Sequence, residues 1–294
     1  MQKCVNNKVR VRSKLATKLP SQIVPALNRV KFDNDSLRVA LGRWANGVKY
    51  SEKEHGPISE WDVSRVTDMS HLFQGAYSFR GDLSKWDVSG VTDMKCMFFA
   101  VRFNCDLSKW DVSSVTDMSS MFHGVAPFNC DLSKWDVSSV TGMWGMFGGA
   151  TSFSGDLSNW DVSSATDMCH MFSGAKSFNG DLSKWDVSSV TNMSHMFFTA
   201  KTFNCDLSKW DVSSVTDMSD MFLNTEAFDG RLSTDHVEKM HAHGDQRTGR
   251  CLWKVARRLI KTRCIAYYWF ELASRPDIHG KAPPGAIDAF CVEF

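Results

Sequence analysis

The sequence predicts an α/β solenoid of about seven coils, each of about 25 residues. Three observations carry this expectation. Trp61, Trp86, Trp110, Trp135, Trp160, Trp185 and Trp210 each open a Trp-Asp-Val at intervals of 24 or 25 residues, and a period in that range marks a stacked-repeat architecture. Within each copy the apolar residues follow two interleaved spacings, one suited to a strand and one to a short helix. Helical patterns stand before the first copy and after the last, where an array needs covers for its open ends.

The repeat is numbered here from its tryptophan as position one. In the copy at 110–134 the apolar positions are Trp110, Val112, Val115, Met118, Met121, Phe122, Val125, Phe128 and Leu132. Leu107, Trp110 and Val112 give L-x-x-W-x-V, the apolar spacing of the strand in a leucine-rich repeat, with Asp111 turned outward. Val115 to Val125 advances by threes and fours, which predicts a short helix on the opposite face. Thr116 and Asp117 suit its N-terminus, Ser114 with Asp117 fits a capping box, and Gly124 suits its exit. Stacked sevenfold, the strands would form one parallel sheet. The single 24-residue interval arises because 98–103 is one residue shorter than 122–128, and the predicted place for that deletion is the turn after the helix.

Four segments follow. Residues 1–31 read as a basic tail, 32–60 as an N-terminal helical cap, 61–235 as the repeats and 236–294 as a C-terminal helical cap with a tail. In the first cap, Asp33, Asn34, Asp35 and Ser36 supply N-cap chemistry, and Leu37, Ala40, Leu41 and Trp44 recur at helical spacing. In the second, residues 249–273 read as a long amphipathic helix with Lys254, Arg257, Arg258 and Lys261 on its polar side. Pro283, Pro284 and Gly285 mark a turn in the tail.

Charge narrows the partners. The net charge of +1 conceals a repeat region with 22 acidic against 12 basic residues, flanked by basic ends. Nucleic acid is not expected, because phosphate neutralisation needs a continuous basic stripe. No apolar run of secretory length opens the sequence and no stretch of 18 apolar residues occurs, so an intracellular, monomeric protein is the expectation. The basic first 32 residues leave an organelle transit peptide open. Cys105, Cys130 and Cys205 occupy a position held elsewhere by Gly81, Gly155, Gly180 and Gly230, which predicts small packing residues. Cys105 and Cys130 are the pair close enough in adjacent coils to oxidise.

The motif W-D-V-S-x-V-T-D-M-x-x-M-F-x-G-A-x-x-F-N-x-D-L-S-K resembles the repeat of the BspA-like leucine-rich-repeat surface proteins, over roughly 60% of the chain. Asp33 to Arg38, followed by Ile58-Ser59-Glu60-Trp61, is similar to the segment that leads into the repeats of eukaryotic members. The resemblance implies a right-handed solenoid and, for bacterial members, surface adhesion. It implies no catalytic residue.

The expected function is a non-enzymatic interaction or adhesion scaffold binding a protein or glycan, with no cofactor and no metal. Its candidate surface is a pair of ladders: Lys85, Lys109, Lys134, Lys184 and Lys209 beside Asp87, Asp111, Asp136, Asp161, Asp186 and Asp211. Stacked like charges repel, and the facing row offsets that. Ala at Asp111 and Asp136 is expected to leave folding intact and weaken partner capture. One alternative is a peripheral membrane adaptor using the basic helix at 249–273. A second is a metal-dependent enzyme built on His236, His241, His243, Asp245 and Cys251. Thirteen of the 15 methionines fall at positions nine and twelve, beside Phe, which predicts core and not copper ligation. His170 and His195 share one repeat position without a predicted role.

Overall fold

A chain whose apolar residues recur every 25 positions can bury them only by laying one copy on the next. The structure, a computed structural model, describes residues 31–45, 55–77, 79–229 and 231–242. Helix α1 (Asn34–Ala45) precedes the repeats and helix α2 (Thr234–Ala242) follows them, with a 3-10 turn at Ile58–Glu60 before the first tryptophan. Between the helices each copy is a coil of turns. One parallel bridge joins it to the next, from Asp68 through Asp93, Asp117, Gly142, Asp167 and Asn192 to Asp217.

The interior is built of columns. Met118, Met121, Phe122, Val125, Phe128 and Leu132 are fully buried, as are their equivalents in the neighbouring coils. Phe122 lies 5.8 Å from Phe98 and 5.7 Å from Phe147, while Phe128 packs on Phe122 at 4.0 Å. Trp110 stacks on Trp135, and Trp160 on Trp185, each pair at 6.5 Å with planes 2° apart. Every methionine at positions nine and twelve is core. At Gly81 and Gly155 glycine has a steric reason: a Cβ there would meet the Phe79 or Phe153 ring at 2.9 Å.

Polar backbone groups inside such a column need partners, and the coils supply them in a fixed direction. The amides of Met118, Ser120, Phe122 and Gly124 donate to the carbonyls of Gly142, Trp144, Met146 and Gly148 in the following coil. The intervening amides of Met121, His123 and Val125 close turns onto Met118, Ser120 and Phe122. Thr141 donates the other way, from its amide (2.9 Å) and its hydroxyl (3.2 Å), to the carbonyl of Thr116. Trp135 does likewise, its indole N–H reaching the carbonyl of Leu107 at 3.1 Å. That carbonyl also accepts the amide of Trp110, so both its lone pairs are used.

This arrangement corrects the expected elements. The stretch Leu107 to Val112, predicted as a strand, is a turn in which the Trp110 amide bonds back to Leu107. The stretch Val115 to Val125, predicted as a short helix, is a series of linked turns carrying Ser120 at φ 55° and Gly124 at φ 71°. A positive φ at the third residue of a turn is what a type II turn requires, and it interrupts a helix. Among the described residues the repeats hold neither a helix nor a strand longer than a single bridge. Thr116 serves the ladder and not an N-cap, and Ser114 donates to the Ser89 carbonyl instead of closing a capping box. The one-residue deletion is absorbed where expected: Phe103 turns back to Val101, whereas Phe128 turns back to Val125. Phe98 and Phe103 still stack at 4.3 Å.

Helix α1 begins as its sequence dictates. The Asp33 carboxylate accepts the Ser36 amide, and the Ser36 hydroxyl accepts the Asp33 amide, each at 2.9 Å, a reciprocal cap. Leu37, Ala40 and Leu41 face the core. Asn34 accepts the amides of Thr67 and Asp68, and Arg38 donates to the Ser70 carbonyl at 2.7 Å, so α1 covers the first coil with backbone caps as well as apolar surface. At the other end Met240 is buried, and Lys239 bonds the carbonyls of Ser213 and Val215. Residues 1–30 and the predicted helix at 249–273 lie outside the described residues.

Replacing Trp135 by Phe removes one cross-coil donor and part of a buried ring, and should lower unfolding free energy by about 1–3 kcal/mol in urea titration. Lys134→Ala, one residue away and exposed, should shift it by less than about 0.5 kcal/mol.

Candidate functional site

The Lys and Asp ladders lie at the corner where the chain turns into Trp and out again. The coils turn on Asp-x-Ser corners of one design, three of them in the third coil. In the third coil Asp111 accepts from Ser113, Asp117 from Ser119 and Asp131 from Ser133. Such Asx turns let a carboxylate stand in for a backbone acceptor. The Asp111 carboxylate takes the Ser113 amide at 3.1 Å and its hydroxyl at 2.6 Å. Asp87, Asp136, Asp161 and Asp186 repeat the same pair of bonds with Ser89, Ser138, Ser163 and Ser188, and Asp211 takes the Ser213 amide.

These bonds set the electrostatics. The Ser113 hydroxyl, then its amide, hold the Asp111 carboxyl below the ordinary range, and the neighbouring Asp136 works weakly the other way. Asp186 is lowered by Ser188 against a similar push from Asp211. The structure brings the aspartates into one row, in which Asp136 acts on Asp111 and Asp211 on Asp186. The lysines stand apart from it: Lys85 pairs with Glu60 at 2.8 Å. Among the described residues no carboxylate lies within ion-pair distance of Lys109, Lys134, Lys184 or Lys209. All these lysines and aspartates are exposed. Each carboxylate is an acceptor that holds its corner, so Ala at Asp111 or Asp136 removes two local hydrogen bonds as well as a surface charge.

The flank made of linked turns was not foreseen as a surface. In a copied sequence a departure is informative, and the fourth coil reads GMWGMFGGA where the third reads DMSSMFHGV. Trp144 stands where the flanking coils carry Ser119 and Cys169, and it is 40% exposed. Its ring meets His170 edge-on at 6.4 Å, and His170 stacks on His195 at 4.5 Å. His195 faces Phe198 at 5.6 Å and Asp220 at 3.5 Å, while Phe99 stacks on His123 at 5.1 Å. Gly142 replaces the aspartate of the second corner. The patch around Trp144 is consequently aromatic and low in charge. A coil-by-coil alignment of the sequence would have shown it.

The remaining candidates divide. His236 is buried with Nδ1 at 2.7 Å from the Ser233 hydroxyl, and burial lowers its pKa to about 4, so it is neutral. The rest of that cluster, His243, Asp245 and Cys251, lies outside the described residues, as does the side chain of His241. Among the described residues no three His, Cys, Asp or Glu side chains converge as a metal site. Cys105 and Cys130 are free thiols, and their sulfurs accept the amides of Leu83 and Leu107 in the preceding coils. No described helix is long and apolar enough to cross a membrane.

Two measurements check this account. Asp136→Ala should lower unfolding free energy by about 0.5–1 kcal/mol, whereas Asp136→Asn, which keeps the acceptor, should cost clearly less. The pH dependence follows from His236. Its folded pKa lies below its unfolded value near 6.5, so its contribution is complete above about pH 6.5 and is lost as pH falls toward 4. The loss should reach about 3 kcal/mol, and His236→Leu should flatten the slope of stability between those values. His123 and His170, also lowered by burial, act in the same direction.

A family model described as "Mycoplasma protein of unknown function, DUF285" matches residues 45–159 and again residues 143–246. No curated protein and no solved structure matches the chain. The two matched spans overlap inside the fourth coil and together run from the end of α1 past the end of α2, well over half of the sequence. The chain belongs to this family, whose description assigns it no activity.

Proposed function

We propose that this protein is a non-enzymatic interaction scaffold, a solenoid of the BspA-like, leucine-rich-repeat-like kind, whose ordered polar flank binds a macromolecular partner, protein or glycan. The observation that carries this reading is the fixed row of exposed carboxylates. Each of Asp87, Asp111, Asp136, Asp161 and Asp186 is held by two bonds from a serine, so the charges recur at the coil spacing without conformational freedom. A prearranged surface loses little entropy on binding, and Lys109, Lys134, Lys184 and Lys209 border it.

A second reading places the contact on the turn flank, and the exposed Trp144 among histidines favours it. A flat indole with little charge around it suits stacking against a sugar face or an aromatic side chain.

One experiment separates the two. A partner identified by proximity labelling would be titrated against the full chain, against Lys109→Glu with Lys134→Glu, and against Trp144→Ser, which restores the residue of the preceding coil. The first reading expects the lysine variant to lose at least about tenfold in affinity, or about 1.4 kcal/mol, with thermal stability unchanged. Loss confined to Trp144→Ser would move the site to the turn flank, and affinity unchanged in both would remove both surfaces.

A further inference from the structure

The turn flank carries a second pattern, which shows when the seven coils are compared row by row. Position fourteen holds phenylalanine twice, at Phe99 in the second coil and Phe198 in the sixth. They stand two coils before and two coils after the fourth, the middle coil, which holds Trp144. Position eleven begins with His71 in the first coil and ends with Asp220 in the seventh, again placed evenly about the fourth. These side chains are accessible. Trp144 is 40% exposed, His71 is exposed, and Phe99, Phe198 and Asp220 are half-buried.

The flank is also straight. From Phe73 to Phe222 the position-thirteen rings of successive coils stack 5.4–5.8 Å apart with planes 3–14° from parallel, so each coil repeats the last with little rotation. A straight strip can meet another along its whole length. An exposed indole at the centre with aromatic rings to either side has the make-up of an interface core, and symmetry decides what fits it. A twofold axis lying across the flank at the fourth coil reverses the direction of the array and keeps each row opposite itself. Coil two then faces coil six of the other copy, and coil one faces coil seven. A parallel pairing would exchange the rows instead and turn Phe99 toward the partner's Lys95.

We propose that the turn flank binds a second copy of this chain, the two packing face to face and antiparallel about a twofold axis through the fourth coil. Trp144 meets the partner's Trp144 on the axis, and Phe99 meets the partner's Phe198 on either side of it. Gly142, Gly145 and Gly148 put no side chain of the fourth coil beside the indole, which lets the two coils approach closely. The indole is already placed: its N–H bonds the Cys169 sulfur and its ring meets His170 edge-on. Beyond the aromatic rings, His71, whose Nδ1 lies 2.7 Å from Gln74 Oε1, reaches the partner's Asp220. That carboxylate is shared with His195 of its own chain, 3.5 Å away. At the rim Asp117 opposes the partner's Asp167, where water and salt screen them. A strip of seven coils is about 30 Å long, at the small end of specific interfaces, so the dimer belongs to the micromolar range. The monomer expected from the sequence is then the dilute form. The carboxylate row from Asp87 to Asp211 lies outside this flank, so a dimer presents it twice and gains avidity for a multivalent partner.

Sedimentation velocity of the full chain from about 1 µM to about 300 µM tests it, with thermal unfolding of each variant as the check on folding. The natural chain should pass from monomer to dimer and go no further, because a twofold contact closes on itself. Trp144→Ser should weaken dimerisation at least about tenfold with thermal stability unchanged. Phe99→Glu and Phe198→Lys should each weaken it as well, and an equal mixture of the two should recover the dimer. The mixed pair keeps one phenylalanine contact and gains one between opposite charges, which happens only where position 99 faces position 198. A chain that stays monomeric throughout, assembly beyond the dimer, or an affinity unmoved by Trp144→Ser would overturn the proposal. So would single variants that lose the dimer without recovery on mixing, by showing that the copies do not meet antiparallel. None of these results bears on the carboxylate row, whose reading is tested by its own lysine variants.

Discussion

The structure depends on one constraint: a coil without helix or sheet of its own must find acceptors for its buried amides in another coil. From Met118 to Val125 alternate amides close local turns and the others cross to the neighbour. Neither set alone would satisfy the backbone. The crossing bonds demand that every coil present carbonyls at the same height and angle, and the repeated side chains meet that demand. Phe at positions 13 and 19, Met at 9 and 12 and Trp at 1 fill one layer each and set the separation between layers.

The same constraint explains backbone conformations that would otherwise look unfavourable. His71, Cys96, Ser120, His170, His195 and Asp220 share one repeat position, and all have φ between 51° and 58°. Each such residue costs on the order of 1–2 kcal/mol relative to ordinary backbone, which the cross-coil bonds and the buried rings offset. Gly145 occupies that position in the fourth coil, and Gly124, Gly149 and Gly174 occupy the second positive-φ site four residues on, where Ala100, Thr199 and Asn224 stand in other coils. The array therefore holds its shape through mutual support and not through local preference.

Much of this was legible from residues and some of it could not be. The tryptophan period located every coil boundary, and apolar spacing identified the buried side chains correctly down to Met118, Met121, Phe122 and Val125. Spacing by threes and fours, however, is common to a helix and to a run of turns closing three residues back, so the pattern could not tell them apart. Nor does an apolar pattern carry the direction in which an amide points, which is why the difference between the two ends of the array became visible only in three dimensions. The aspartates at the corners read in sequence as a charged surface, because they recur at outward positions of the repeat. Asp-x-Ser at two or three corners of every coil is the available signal that they are also structural acceptors. Trp144 does not stand out in the shared pattern of the copies, because a candidate contact shows in what one copy alone has.

The dependence of each coil on the register of its neighbours is tested most directly by deletion in units of the repeat. Removing residues 135–159, one whole coil, joins Lys134 to Trp160 and restores every cross-coil bond, so the shortened chain should unfold in a single urea transition whose slope is reduced with the surface lost. Removing residues 135–146, about half as many, leaves the forward amides of the third coil facing the wrong positions, and no cooperative transition should remain. A half-coil deletion that unfolds as sharply as the whole-coil deletion would contradict the account.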